Sequence, residues 1–299
     1  MNGTWQFVLA PGFFTNHEVV NALWVSTAIA IVSGLVGVFV IVRGQSFAGH
    51  ALTDLGATGA SGAVMLGANV WYGFLSFGLL SGAAMEGLGS RIRNRDVATG
   101  LVLSFAMGLG ALFLYIDTQQ ANATVSMLVL FGSVFVINPA LTPLVMAVGL
   151  AALVLLAILY RPLLLSSVSP TLAEARGVPV RWVSMLFMFV LAAAVEDGAL
   201  VLGALLSTAL LIGPAATAVR LTSRPGRALV WSAAVAVIAT WAGIVCSYDS
   251  YYWPPYGRGW PVSFFIAAFV LLFYLAARFV PERSRAAERP SLQQEVKAP

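Results

Sequence analysis

The chain has 299 residues, of which 60% are hydrophobic and 9% are charged, with a formal net charge of +4 and a mean hydropathy of +0.89. Soluble domains carry roughly 25% charged residues, so this composition excludes a soluble globular protein. The positive charge does not indicate nucleic-acid binding, because the arginines cluster at the ends of apolar runs, as in membrane proteins. The composition therefore predicts an all-α, polytopic integral membrane protein.

Apolar runs divide the sequence into nine predicted membrane-crossing helices, each close to the length that a bilayer requires. These runs cover residues 19–42, 46–67, 70–88, 97–116, 141–160, 182–195, 199–219, 228–246 and 262–277. A further run, 125–137, is too short to cross and is predicted to be a re-entrant or interfacial helix. Residues 1–280 are predicted to form a single transmembrane domain, and the polar residues 281–299 a disordered cytoplasmic tail.

The arginines predict the orientation in the membrane. Loops rich in arginine face the cytoplasm, and nearly every arginine does so if the N-terminus lies outside and the C-terminus inside. The loops concerned are those at residues 43, 91–95, 161–181 and 220–227. This orientation requires that residues 125–137 do not cross, and it leaves Arg258 on the outer side as the exception.

His50 and Asp54 stand in a segment made otherwise of small and apolar residues. A spacing of four places both side chains on one helix face, one turn apart. An imidazole and a carboxylate at this separation can bind one divalent cation, and ionisable groups inside a membrane usually line a substrate path. Two interpretations are open: a transient metal-binding pair, or a structural hydrogen-bonded pair that fixes two helices.

Glu196 and Asp197 separate two of the predicted helices at the outer side of the membrane. One interpretation is that their negative potential attracts an arriving cation. The other is a solvated turn with no role in transport.

The polar segment 161–182 contains a predicted short cytoplasmic helix. Ser169 is a suitable N-cap and Pro170 suits the first turn, the helix would cover residues 171–176, and Gly177 suits the C-terminal cap. This helix could dock a soluble partner, or the segment could be a loop that reverses the chain.

Four segments in this order resemble the membrane permeases of zinc-, manganese- and iron-type ABC importers. They are RGQSFAGHALTDLGATGASG, the LFGS of residues 130–133, SPTLAEARGVPV and LGALLSTALLIGPAATAVRL. The resemblance extends from about Arg43 to the last predicted helix, and its most specific part is Pro214-Ala215-Ala216 with the preceding Gly203-Ala-Leu-Leu.

The resemblance implies a homodimeric permease, a cytoplasmic ATP-binding subunit and an extracytoplasmic metal-binding protein. It also implies that Ser169, Pro170, Ala173 and Gly177 engage the ATPase. The sequence departs from the usual pattern at the ligand pair: the family usually has Asp after the Gly and His four residues later, whereas here His50 and Asp54 are exchanged. Ser133 and Thr171 also stand where the family often has Asp.

These observations predict a transport subunit rather than an enzyme, located in a bacterial cytoplasmic membrane in contact with lipid. Its substrate would be a divalent transition metal, zinc first and manganese or iron next, with no cofactor held by the chain. The sequence has no Gly-rich ATP-binding loop, so a separate ATPase would drive transport. The alternative is a gradient-driven secondary transporter or channel in which His50 and Asp54 relay protons.

Overall fold

The computed structural model describes residues 16–89, 95–118, 141–253 and 259–279, together with Phe13 and Phe135. Every regular element in these ranges is an α-helix, and we number the helices in chain order. They are α1 (His17–Val42), α2 (Ser46–Met65), α3 (Val70–Gly89), α4 (Arg95–Thr118), α5 (Thr142–Val168), α6 (Pro170–Ala175), α7 (Val180–Leu202), α8 (Ala204–Leu221), α9 (Pro225–Ser250) and α10 (Val262–Arg278).

Five of the described helices, or their central parts, are long and apolar enough to cross a membrane: α1, α4, α5, α7 and α9. The predicted all-α membrane architecture is therefore confirmed, while the count of nine crossings stays a prediction. The predicted re-entrant segment 125–137, except for Phe135, and the predicted tail 281–299 lie outside the described residues.

Helix α7 occupies the centre of the bundle. It contacts α1, α2, α3, α5 and α8, and 15 of its 23 residues are buried. Its Phe187 and Leu191 join Phe39 of α1 and Leu52 and Leu55 of α2 in one apolar core. Burial of large side chains of this kind contributes about 1.5–3 kcal/mol each relative to exposure in water. Helix α7 therefore packs directly against α1 and α2.

The break between α7 and α8 falls at Gly203, not at Glu196 and Asp197 as the sequence predicted. Gly203 has φ +95° and ψ 151°, a conformation that strains a residue with a side chain. Its carbonyl accepts hydrogen bonds from the N–H groups of Leu206 and Ser207, which begin α8. The sequence predicts a helix end at Glu196 and Asp197 because charges are costly in a membrane. The structure instead buries both residues inside the bundle.

Helix α5 also continues further than predicted, through Arg161 and Pro162 to Val168. A proline inside a helix removes one backbone hydrogen bond and usually bends or ends the helix. Here the next residue, Leu163, is fully buried in the main core, and this packing holds the last turns of α5 in place. The segment between α5 and α7 is consequently shorter than the sequence indicated.

Candidate functional site

Helix α2 carries both predicted ligands one turn apart. His50 is exposed and Asp54 is partly buried. The buried faces of this helix consist largely of small residues, which let α3, α4 and α7 approach closely. The structure thus leaves the face with the imidazole and the carboxylate accessible, while the rest of the helix is packed against the bundle.

A chain of hydroxyl groups orients the imidazole of His50. His50 Nδ1 lies 3.4 Å from Thr208 Oγ1 in α8, Thr208 Oγ1 lies 3.1 Å from Thr53 Oγ1, and Thr53 Oγ1 donates to the carbonyl of Gly49 at 3.3 Å. The Thr53 hydroxyl donates to Gly49, so Thr208 donates to Thr53 and the N–H at Nδ1 of His50 donates to Thr208. In this arrangement each hydroxyl donates one hydrogen bond. The lone pair of Nε2 is then available for a cation, as in histidines held by an outer-shell partner.

Thr208 was not identified from its own properties, although it lies in the segment LGALLSTALLIGPAATAVRL that carried the resemblance. A threonine in an apolar helix has no distinguishing pattern. Its contact with His50 joins residues 158 positions apart in the sequence. Only the packing of α8 against α2 reveals this partner.

The described residues contain no group of three or more His, Cys, Asp or Glu side chains placed to hold a metal ion. One chain therefore presents an imidazole and a carboxylate, whereas transition metals take four or more ligands. Water or a second copy of the chain must supply the remaining ligands. Such an incomplete site suits transient contact with an ion rather than permanent binding.

Glu196 and Asp197 lie inside α7 with only 2% and 3% of their surfaces exposed. The prediction of a solvated outer turn is therefore wrong. The Glu196 carboxylate contacts Gly56 of α2 and Gly78 of α3, whereas Asp197 points towards Gly149 of α5. The two carboxylates therefore face different neighbouring helices, and a role in attracting a cation stays a prediction.

The space for Glu196 exists because two glycines face it. Among the described residues neither carboxylate oxygen of Glu196 has a hydrogen-bond partner, so the side chain fits by shape and not by a polar network. A methyl group at Gly56 or at Gly78 would overlap the carboxylate. The sequence around Glu196 does not identify these two glycines, which come from other helices.

We expect Gly56→Ala to destabilise the bundle by about 1–3 kcal/mol, the usual cost of overfilling a packed interior. The thermal unfolding midpoint of the detergent-solubilised protein measures this effect. The matched control is Gly108→Ala in α4, where an added methyl group meets no atom within 4 Å. Combining Gly56→Ala with Glu196→Ala should recover the midpoint, and an unchanged midpoint in Gly56→Ala alone would contradict the packing described here.

The predicted short helix after α5 is present as α6, Pro170–Ala175. The Ser169 hydroxyl accepts from the N–H of Leu172 at 3.3 Å. Gly177 ends the helix with φ +76°, a conformation that favours glycine, and its N–H donates to the carbonyl of Glu174 at 2.9 Å. The capping predicted for Ser169 and Gly177 thus agrees with the local geometry.

Ala173 faces the chain itself and is fully buried, while α6 packs against α5 and α7. The small side chain is therefore required by packing inside the chain, and close approach of a partner does not explain it. The outward side of α6 carries Thr171, Leu172 and Glu174, all exposed. Leu172 is 53% exposed and is the large apolar group on this side.

Comparison with known proteins places this geometry in a family. Residues 16–277 match the ABC 3 transport family. The manganese transport system membrane protein MntC of Listeria innocua is 32% identical over 233 residues, which cover 76% of this chain and 81% of MntC. The manganese import system permease protein ScaB of Streptococcus parasanguinis is 31% identical over 234 residues, which cover 78% of this chain and 82% of ScaB.

More distant relatives are named for other metals. The chelated iron transport system membrane protein YfeC of Yersinia pestis is 26% identical and covers 91% of this chain and 90% of its own length. The high-affinity zinc uptake system membrane protein ZnuB of Haemophilus influenzae is 26% identical over 77% of this chain and 88% of its own length.

A solved structure, PsaBC from Streptococcus pneumoniae in complex with Fab, superimposes with a TM-score of 0.77 at 26% identity. The match covers 97% of this chain and 99% of that chain. The family match spans most of the sequence, and the helical arrangement agrees with that of a solved relative over nearly its full length. The chain therefore belongs to the ABC 3 transport family and is the membrane permease of a metal ABC importer.

Proposed function

We propose that His50 and Asp54 are transient ligands of a divalent transition metal that this permease passes into the cytoplasm. The supporting observation is that both groups share the accessible face of α2 and that His50 Nδ1 lies 3.4 Å from the Thr208 hydroxyl, so that Nε2 is available when Nδ1 carries the proton. Gly49 and Thr53 of the same helix complete the chain of hydroxyl groups. A conduit needs ligands that replace part of the ion's hydration shell without holding the ion tightly.

The site is completed by a second copy of the chain. His50 is exposed although it lies within a helix that is otherwise packed on several sides. Two copies related by a two-fold axis along this face would supply two imidazoles and two carboxylates. Four ligands from two identical chains complete the tetrahedral coordination of zinc. They supply only part of the larger coordination shell of manganese. The ligand count therefore supports a homodimer as part of this proposal.

The transported metal is a choice among manganese, zinc and iron. The imidazole–carboxylate pair led to zinc as the first sequence prediction, and all three metals accept these ligands. The relatives at 31–32% identity are named for manganese, whereas those named for iron and zinc are 26% identical. We therefore place manganese first and zinc second.

The partners are a cytoplasmic ATP-binding subunit and an extracytoplasmic protein that delivers the metal. The exposed side of α6, with Leu172 at its centre, is the proposed ATPase contact. This contact requires α6 on the cytoplasmic side of a bacterial inner membrane, with the N-terminus outside and the C-terminus inside. Proton relay by a gradient-driven transporter is not favoured, because the family is one of ABC transporters.

Uptake by the reconstituted complex tests this function. Proteoliposomes that contain the permease and its ATPase, supplied with the binding protein, should accumulate metal only when ATP is present on the ATPase side. We expect manganese to be taken up in preference to zinc and iron when the three compete at equal concentration. Metal accumulation by the permease alone, driven by a proton gradient, would overturn the proposal.

A further inference from the structure

Arg43 at the end of α1 joins three helices through its guanidinium group. Its Nη1 donates to Ser166 Oγ at 3.2 Å and to Ser167 Oγ at 3.4 Å, both in the last turn of α5. Its Nη2 donates to Ser184 Oγ in α7 at 2.6 Å. The sequence gives no indication of these contacts, because the three serines lie far from Arg43 along the chain.

The serine hydroxyls on α5 are arranged to accept these bonds. Ser166 Oγ and Ser167 Oγ each donate to the carbonyl of Leu163, at 3.0 Å and 2.5 Å. Their oxygen lone pairs are then free to receive the N–H groups of Arg43. Bonds from a charged donor are stronger than those between neutral groups.

Packing fixes the guanidinium in this position. Its Cζ atom lies 5.5 Å from the centre of the Phe187 ring, a separation at which the ring face attracts a cation. Phe187 is fully buried in the core and contacts the ring of Phe39 with centroids 6.3 Å apart. The planar fork of an arginine directs two separate nitrogens at acceptors on different helices, whereas all the donors of a lysine are on one nitrogen.

The three serines mark the two ends of the segment that carries α6. Ser166 and Ser167 are separated from Ser169, the N-cap of α6, only by Val168. Ser184 stands near the start of α7, just after that segment. Arg43 therefore holds the entry and the exit of the cytoplasmic helix together. A displacement of α6 moves both attachment points and so reaches the guanidinium.

Arg43 is also joined directly to the beginning of α2. Only Gly44 separates it from Gln45, the N-cap of α2. The N–H of Gln45 donates to the carbonyl of Val40 at 2.9 Å, and the Gln45 carbonyl accepts from the N–H of Gly49 at 3.0 Å. The turn between α1 and α2 is thus short, and backbone hydrogen bonds join it to both helices. His50 is the next residue after Gly49.

We propose that Arg43 is a positioning residue that mechanically couples the ATPase-facing helix α6 to the helix that carries His50 and Asp54. This inference rests on the proposed function, because it assigns the path by which ATPase movement reaches the metal ligands. Arg43 also lines a polar cavity with Glu86 and Asp96. A test must therefore separate the charge of Arg43 from its hydrogen bonds.

The test measures metal ions transported per ATP hydrolysed in proteoliposomes of the complete complex. Arg43→Lys keeps the charge but cannot span both sets of serines, and Ser184→Ala removes the shortest bond while Arg43 stays in place. We expect each variant to assemble with the ATPase and to hydrolyse ATP at near the normal rate. The number of ions per ATP should fall by about tenfold in Arg43→Lys and by less in Ser184→Ala.

Two further measurements show whether the bonds form one unit. Adding Ser184→Ala to Arg43→Lys should cause little additional loss, because the two changes break the same connection. Arg161→Gln, which removes an exposed arginine one turn before Ser166, is the matched control and should keep the normal ratio.

If Arg43→Lys and Ser184→Ala transport the normal number of metal ions per ATP hydrolysed, the coupling role is wrong. It is also wrong if ATP hydrolysis and metal uptake fall by the same factor in both variants. If these variants do not assemble, the double variant Ser166→Ala with Ser167→Ala provides the test. A normal number of ions per ATP in that double variant would also overturn the coupling role. If the wild-type complex shows no ATP-driven uptake at all, the proposed function itself has failed. The two failures are therefore distinguishable.

Discussion

His50→Ala and Asp54→Ala should each reduce ATP-driven metal uptake at limiting metal by on the order of 10–100-fold or more, since loss of even an outer-shell group at metal sites costs this much. The reason is that each chain offers only these two ligating groups on the accessible face of α2, and a dimer loses two ligands with each change. Metal accumulation in proteoliposomes, measured together with ATP hydrolysis, gives the result. The permease should still assemble with the ATPase, because neither side chain is buried in the core.

Controls on the same helix separate ligand loss from general damage. Ser61 lies about three turns after His50, and its hydroxyl bonds only locally to the carbonyl of Ala57, so Ser61→Ala should transport normally. Thr208→Val removes the partner of His50 Nδ1 and should cause a smaller loss than His50→Ala. The exchange His50→Asp with Asp54→His should retain part of the activity. Normal uptake by either single alanine variant would remove that residue from the conduit.

Leu172→Glu should weaken association of the ATPase by on the order of tenfold or more, because a carboxylate would replace an apolar contact on the exposed side of α6. Pull-down of the ATPase by the solubilised permease measures the loss. Arg161→Gln, at an exposed position of α5 outside this surface, is the control and should bind normally. The thermal unfolding midpoint should be unchanged in both variants, since both positions are exposed.

Ala173→Glu should act differently from Leu172→Glu. Ala173 is fully buried against the chain's own helices, so a carboxylate there must displace α6 and lower the unfolding midpoint. Loss of ATPase binding in Leu172→Glu with a normal midpoint would support docking on the outer side of α6. Normal binding in Leu172→Glu would place the ATPase contact elsewhere.

Local rules predicted the parts of the site that depend on neighbouring residues. The spacing of His50 and Asp54 sets their separation on any helix, and the caps at Ser169 and Gly177 follow from backbone groups within the same turn. The family resemblance rests on the order of four short segments along the chain. These features need no knowledge of how the helices pack.

The missed features all depend on contacts between distant segments. Arg43 bonds serines 123 to 141 residues away, and Thr208 reaches His50 across the interface between α2 and α8. Glu196 looked like a helix end because the cost of a membrane-embedded charge favours a loop. Its accommodation depends on two glycines from other helices, and no pattern around residue 196 indicates them.

The fit of Glu196 against Gly56 and Gly78 has a consequence for how this sequence can diverge. A larger residue at either glycine fits the bundle better once Glu196 has been replaced by a shorter residue. If a glycine is replaced first, the interior is overfilled. Shortening the acid first leaves a small cavity, whereas replacing a glycine first forces the Glu196 side chain out of its place. Substitutions at residues 56, 78 and 196 are therefore expected to depend on one another, with the change at residue 196 tolerated first.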